Sequence, residues 1–143
     1  AVSLCVPEER DALRMESRGG LLRNILSPRV PQVAARHARR VLDLGLKQHG
    51  LAQHDVGAWI LHAGGRTVLE RLRAEAALTR GDTRRSEEAL ARFGNLSSPF
   101  VLFVLQAALE EREADGWWWM SSFGAGFSCH GALLRVSSEG APS

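Results

Sequence analysis

Ala58-Trp59-Ile60-Leu61-His62-Ala63-Gly64-Gly65 is an apolar run of strand length that ends in a histidine and two glycines. A strand apolar at every position reads as one covered on both faces. The glycine pair allows a sharp turn into a helical period, Arg66 to Leu78, with Val68, Leu69, Leu72 and Ala76 inward. Downstream, Gly81-Asp82 interrupts, Thr83 can cap a shorter helix over Arg84 to Phe93, and Gly94-Asn95 closes it. Ser97 as N-cap and Pro99 in the first turn open a helix that reaches about Glu113 and is apolar on nearly every side from Phe100 to Leu109. Such a helix belongs in the middle of a layered domain. Trp117 to Met120 and Gly131 to Val136 read as closing strands bridged by Phe123-Gly124-Ala125-Gly126-Phe127, and Ser137 to Ser143 as a mobile polar tail.

Upstream, Ala34, Ala38, Val41 and Gly45 form one stripe of a surface helix from about Pro31 to Gln48. Arg36, His37, Arg39 and Arg40, the densest basic stretch, read as its wet face. Leu13 to Ser17 alternates as a half-buried strand does, Gly19-Gly20 breaks the chain, and Leu21 to Leu26 is a short apolar run. Ala1 to Val6 is strand-like, has no start methionine, and reads as a cut edge. Strands interleaved with helices predict an α/β domain.

At 143 residues, 45% hydrophobic and 24% charged, the chain is long enough to bury a core without a disulfide or metal staple. Eighteen Lys plus Arg against 16 Asp plus Glu leave a net charge of +2, far short of a nucleic-acid-binding field. No apolar run reaches the roughly 18 residues that span a bilayer, and no secretory leader is visible, so the expectation is a cytoplasmic protein with no nucleic-acid or membrane partner. Cys5 and Cys129 make neither a disulfide framework nor a zinc site; both read as reduced, buried structural thiols, and no metal is expected.

His62 is the first candidate for chemistry. The C-terminal end of a strand in an α/β sheet is where a side chain meets ligand, and an imidazole there can serve as acid, base or donor, although position alone favours a structural histidine. Gly64 and Gly65 could turn helix amides toward an anion or merely serve a tight turn. Asn95, between two helices, could cap one, take a left-handed conformation, or offer its amide to a substrate. The Gly124 to Gly126 loop allows close approach of a ligand or only of its own neighbour.

Taken together, Trp59-Ile60-Leu61-His62-Ala63-Gly64-Gly65, then Arg92-Phe93-Gly94-Asn95-Leu96-Ser97-Ser98 before the apolar helix, then Phe123-Gly124-Ala125-Gly126-Phe127, resemble the C-terminal half of type III polyketide synthases, the chalcone and stilbene synthase family. That family shows W-x-x-H-P-G-G, Y-G-N-M-S-S and G-F-G-P-G in this order at about these separations. Gly19 to Ser27 resembles the strand and pocket segment of bacterial members. The match runs from about residue 13 to 136, with Ala63 and Ala125 in place of the family's prolines, Phe93 in place of its tyrosine and Leu96 in place of its methionine.

The resemblance implies half of a thiolase-like layered fold over residues 1–136, with a mixed sheet and the 97–113 helix buried at its centre. It implies an acyltransferase that joins an acyl-CoA starter to malonyl-CoA by decarboxylative condensation, with no cofactor beyond the CoA thioesters. His62 and Asn95 take the catalytic positions, Ser97 and Gly124, Ala125, Gly126 and Phe127 the substrate pocket, and Gly64 and Gly65 the adjoining turn. The nucleophilic cysteine belongs to the family's N-terminal half, so that half is the expected partner, within a homodimer, and the isolated chain is expected to be inactive. Two other readings stay open: a 3-ketoacyl synthase of fatty-acid synthesis, which normally shows H-Q-A-N where this chain has His62-Ala63-Gly64-Gly65, and a non-catalytic interaction module that keeps the fold.

Overall fold

The computed structural model describes residues 1–111 and 115–137. Its strands are β1 (Val2–Cys5), β2 (Leu13–Arg18), β3 (Leu21–Leu26), β4 (Val56–Leu61), β5 (Gly116–Gly124) and β6 (Ser128–Val136). Its α-helices are α1 (Val30–Gln48), α2 (Arg66–Glu75), α3 (Arg80–Phe93) and α4 (Phe100–Glu110). The α4 residues expected beyond Glu111 and the tail beyond Ser137 lie outside the described residues.

One mixed sheet runs β1-β6-β5-β4, with β4 parallel to β5 and the other pairs antiparallel. Along β5, the consecutive residues Trp118 and Trp119 are 1% and 2% exposed. Because successive side chains of a strand point to opposite faces, both faces of the sheet are covered there. Trp119 points at α1. Only glycine leaves room for its indole: a Cβ on Gly131 would lie 2.4 Å from the ring, and one on Gly45 2.6 Å. The stripe read from the sequence, Ala34, Ala38, Val41 and Gly45, is the buried face of α1. β4 is buried from Ala58 to Leu61 as its composition required, against α3 and α4. A buried hydroxyl couples two of these elements, Ser86 Oγ of α3 donating to the Leu61 carbonyl at 2.8 Å.

Several local expectations are corrected. Leu21 to Leu26, read only as a short apolar run from its own residues, is the strand that the resemblance implied, paired with β2 in a separate two-stranded sheet across the Gly19-Gly20 turn. α3 begins at Arg80: Thr79, not Thr83, is its N-cap, in a capping box with Asp82, while Thr83 is fully buried. Gly81 and Asp82 therefore lie inside the helix rather than before it. Ser97 does not cap α4; it takes a left-handed φ of 59°, and its carbonyl accepts the Phe100 N–H at 3.0 Å. His37 is not on the wet face of α1 but buried, 6% exposed, with both ring nitrogens enclosed and unpartnered among the described residues. Its neighbour Arg36 does face outward, and with Arg29 it reaches the buried Glu9 carboxylate at 3.1 and 3.2 Å. Cys5 is exposed, contrary to expectation, while Cys129 is buried.

Helix α4 is only half wrapped. Phe100, Val101, Val104 and Ala108 are buried, whereas Leu102 and Leu109 are 59% and 53% exposed. No helix among the described residues is long and apolar enough to cross a membrane.

Candidate active site

The site begins where β4 stops. The His62 backbone N–H still bonds across the sheet to the Ser121 carbonyl at 2.9 Å, which fixes the residue at the sheet edge. Gly64 then turns the chain with a φ of 62°, a left-handed value that favours glycine, and α2 starts at Arg66. The imidazole stands edge-on to Phe100 of α4 at 5.4 Å and to Phe123 of β5 at 6.1 Å. It is 7% exposed, and its Nδ1 is enclosed without a partner among the described residues. Burial pushes its pKa below the ordinary 6.5, so the ring is neutral at neutral pH.

Asn95 is held at both ends of its carboxamide. Nδ2 donates to the Gly64 carbonyl at 2.8 Å, and Oδ1 accepts the Ser97 N–H at 2.9 Å. The first bond joins the α3–α4 turn to the β4–α2 turn, so the glycine that redirects the chain after His62 also anchors Asn95. The second amide hydrogen of Nδ2 has no partner among the described residues.

His62, Gly64, Asn95, Ser97, Gly124, Ala125 and Phe127 line a single cavity of about 160 Å³. Gly65 and Gly126 are not on its wall: Gly65 is the residue before α2, and Gly126 is turned away, its N–H donating to the Leu13 carbonyl at 2.8 Å. The close approach that Gly124 permits is to its neighbour, since a Cβ there would lie 2.5 Å from Ser128 Oγ. The wall residues that sequence reasoning did not name are chiefly apolar: Leu13, Met15 and Leu26 of the hairpin, Val30 and Ala34 of α1, and Phe123. Phe123 stood in a quoted motif, and the hairpin lay partly in the segment resembling a pocket strand, but which faces turned inward depended on the β2–β3 register. Neither cysteine lines the cavity. Burial pushes the Cys129 thiol up to about 12, which leaves it protonated and a poor nucleophile.

A neutral imidazole packed edge-on against Phe100 and Phe123 and a carboxamide tied at both ends to backbone stand at one cavity, positioned before any ligand arrives. Comparison with known proteins agrees with this architecture. Residues 1–137 match the family described as chalcone and stilbene synthases, C-terminal domain, and the chain belongs to that family. It is 36% identical over 111 residues to the 3,5-dihydroxyphenylacetyl-CoA synthase of Streptomyces toyocaensis, across 76% of this chain and 28% of that one. It is 35% identical over 115 residues to the 1,3,6,8-tetrahydroxynaphthalene synthase of Streptomyces peucetius subsp. caesius, across 79% of this chain and 30% of that one. Among solved structures, PKS-I from the brown alga Ectocarpus siliculosus superposes with a TM-score of 0.86 at 27% identity, over 94% of this chain and 38% of that one. The fold is that of the thiolase-like type III polyketide synthases, and the chain spans less than a third of the length of these two curated relatives.

Proposed function

We propose that the chain is the C-terminal part of a type III polyketide synthase that joins an acyl-CoA starter to malonyl-CoA, with His62 and Asn95 holding the oxygen on which negative charge develops. Loss of carbon dioxide from a malonyl thioester leaves an electron pair on the α-carbon, delocalised onto the thioester oxygen as an enolate. The neutral His62 ring donates one N–H to that oxygen. With Nδ1 enclosed, this role falls to Nε2. The free Nδ2 hydrogen of Asn95 supplies the second donor. The enolate carbon then attacks the carbonyl of the acyl group carried on a cysteine sulfur, which leaves as thiolate as the new carbon–carbon bond forms. That cysteine is assigned to the part of the relatives that this chain does not span, because Cys129 is protonated and neither cysteine lines the cavity.

The observation that carries this reading is the bond from Asn95 Nδ2 to the Gly64 carbonyl, which ties the amide to the turn leaving His62. The test is carbon dioxide release from malonyl-CoA by the complete synthase. His62→Ala and Asn95→Ala are each expected to lower it by about a hundredfold or more, the usual cost of one oxyanion donor, with the fold intact. Release at the wild-type rate from a folded double variant overturns the assignment.

A further inference from the structure

The peptide group that joins Leu61 to His62 is held at both ends. Its N–H donates to the Ser121 carbonyl of β5 at 2.9 Å, and its carbonyl accepts the Ser86 hydroxyl of α3 at 2.8 Å. β4 is the last strand of its sheet, and in a trans peptide the C=O points away from the N–H, so the Leu61 carbonyl leaves the sheet on a side where no strand pairs with it. A buried carbonyl without a donor is costly, and Ser86, itself fully buried, supplies one. A serine inside a helix ordinarily turns its hydroxyl to water or back to the carbonyl four residues earlier; Ser86 reaches across to β4 instead.

The same helix leads to Asn95, two residues beyond its last residue, Phe93. Asn95 donates to the Gly64 carbonyl at 2.8 Å. Helix α3 and the turn that leaves it thus grip the His62 segment twice, at the peptide just before the histidine and at the turn just after it. The imidazole depends on that grip. Its Nδ1 has no partner among the described residues, so its aim rests on the backbone beneath it and on edge contacts with Phe100 and Phe123.

We infer that Ser86 is a positioning residue, whose bond to the Leu61 carbonyl sets the His62 ring in register with the Asn95 amide. The inference rests on the oxyanion role proposed above for those two side chains. Without the hydroxyl, the Leu61–His62 peptide is tied to β5 alone and is free to turn about that bond, and a misplacement of about 1 Å in a reacting site costs up to about a hundredfold in rate.

The test is the steady-state release of carbon dioxide from malonyl-CoA by the complete synthase, its Ser86→Ala and His62→Ala variants and the double variant, each checked for folding by circular dichroism. Ser86→Ala is expected to lower kcat about tenfold and to leave KM for malonyl-CoA within about twofold, because the loss falls on a contact made in the transition state rather than on binding. Added to His62→Ala, the same change is expected to cost less than about twofold, because the ring that Ser86 positions is already gone. A folded Ser86→Ala enzyme at the wild-type rate, or an equal loss with and without the His62 ring, overturns the role of Ser86 and leaves that of His62 standing. A folded His62→Ala enzyme at the wild-type rate overturns the donor role of His62, and this inference with it. Should Ser86→Ala fail to fold, Ser86→Cys, whose thiol is only a weak donor, goes through the same comparison and is read in the same way.

Discussion

Helices α1 and α4 are both rich in apolar residues, yet the fold seats them differently. In α1 the apolar stripe from Val30 to Leu46 is buried and the arginines face outward, so sequence period and burial agree. In α4 the apolar residues go all round, and only the Phe100, Val101, Val104 and Ala108 side is covered within these residues. Period tells which face of an amphipathic helix is inside. A uniformly apolar helix carries no such mark, and its covering has to come from elsewhere.

The contrast breaks most severely at Phe100, which is fully buried and supports the His62 ring. Phe100→Ala should cost about 3–5 kcal/mol in denaturant unfolding, as large aromatic truncations in cores do. On the α1 side the sensitive spot is the reverse, a site with no room: Gly131→Ala pushes a methyl into Trp119 and Val41 and should cost about 1–3 kcal/mol. A loss as large at Leu102, on the open side of α4, would erase the distinction.

His37, on the seated side of α1, sharpens it through pH. Burial lowers its pKa from 6.5; Arg36 and Arg40 also lower it, while Glu9 and Glu8 raise it. The unfolded chain therefore takes up a proton on this group at a pH where the folded chain does not. Stability is fully present above about 6.5 and falls as pH drops through the lowered folded value. His62 adds a loss of the same sign. Replacing His37 by Leu should reduce the drop in denaturation midpoint between about pH 7.5 and about pH 5.5. An unchanged drop would show that His37 is not the source.

The smallest stability effect is expected on α4. Leu102→Gln with Leu109→Gln should change unfolding by no more than about 0.5 kcal/mol, because both side chains are exposed. The same pair should reduce self-association of the 143-residue chain in sedimentation, since an open apolar face invites a partner. A wild-type chain that sediments as a monomer would contradict this.

Much of the fold was legible because burial and period reinforce each other. The β4 run, the glycine turn and the α1 stripe each carry their own physical reason. What was not legible depended on register or on choices between equivalent signals. Thr79 and Thr83 are both competent caps, and only the reach of Asp82 back to the Thr79 N–H separates them. Leu21 to Leu26 carries no alternation to mark it as a strand, and its pairing with β2 is what reveals the cavity wall. His37 sits among arginines in sequence but one position round the helix from them, inside. For the candidate site, His62 and Asn95 stand out through their motifs and line one cavity, whereas the bond between Asn95 and Gly64 spans two separate turns and is visible only in space.

The most direct measurement is the geometry of the complete synthase with an enolate mimic of the malonyl thioester bound. Its enolate oxygen should lie at about 2.7–3.1 Å from both His62 Nε2 and Asn95 Nδ2, the range of working oxyanion donors. An oxygen held by backbone amides elsewhere, with the Asn95 amide serving only the Gly64 carbonyl, would mean that the two side chains do not share this task.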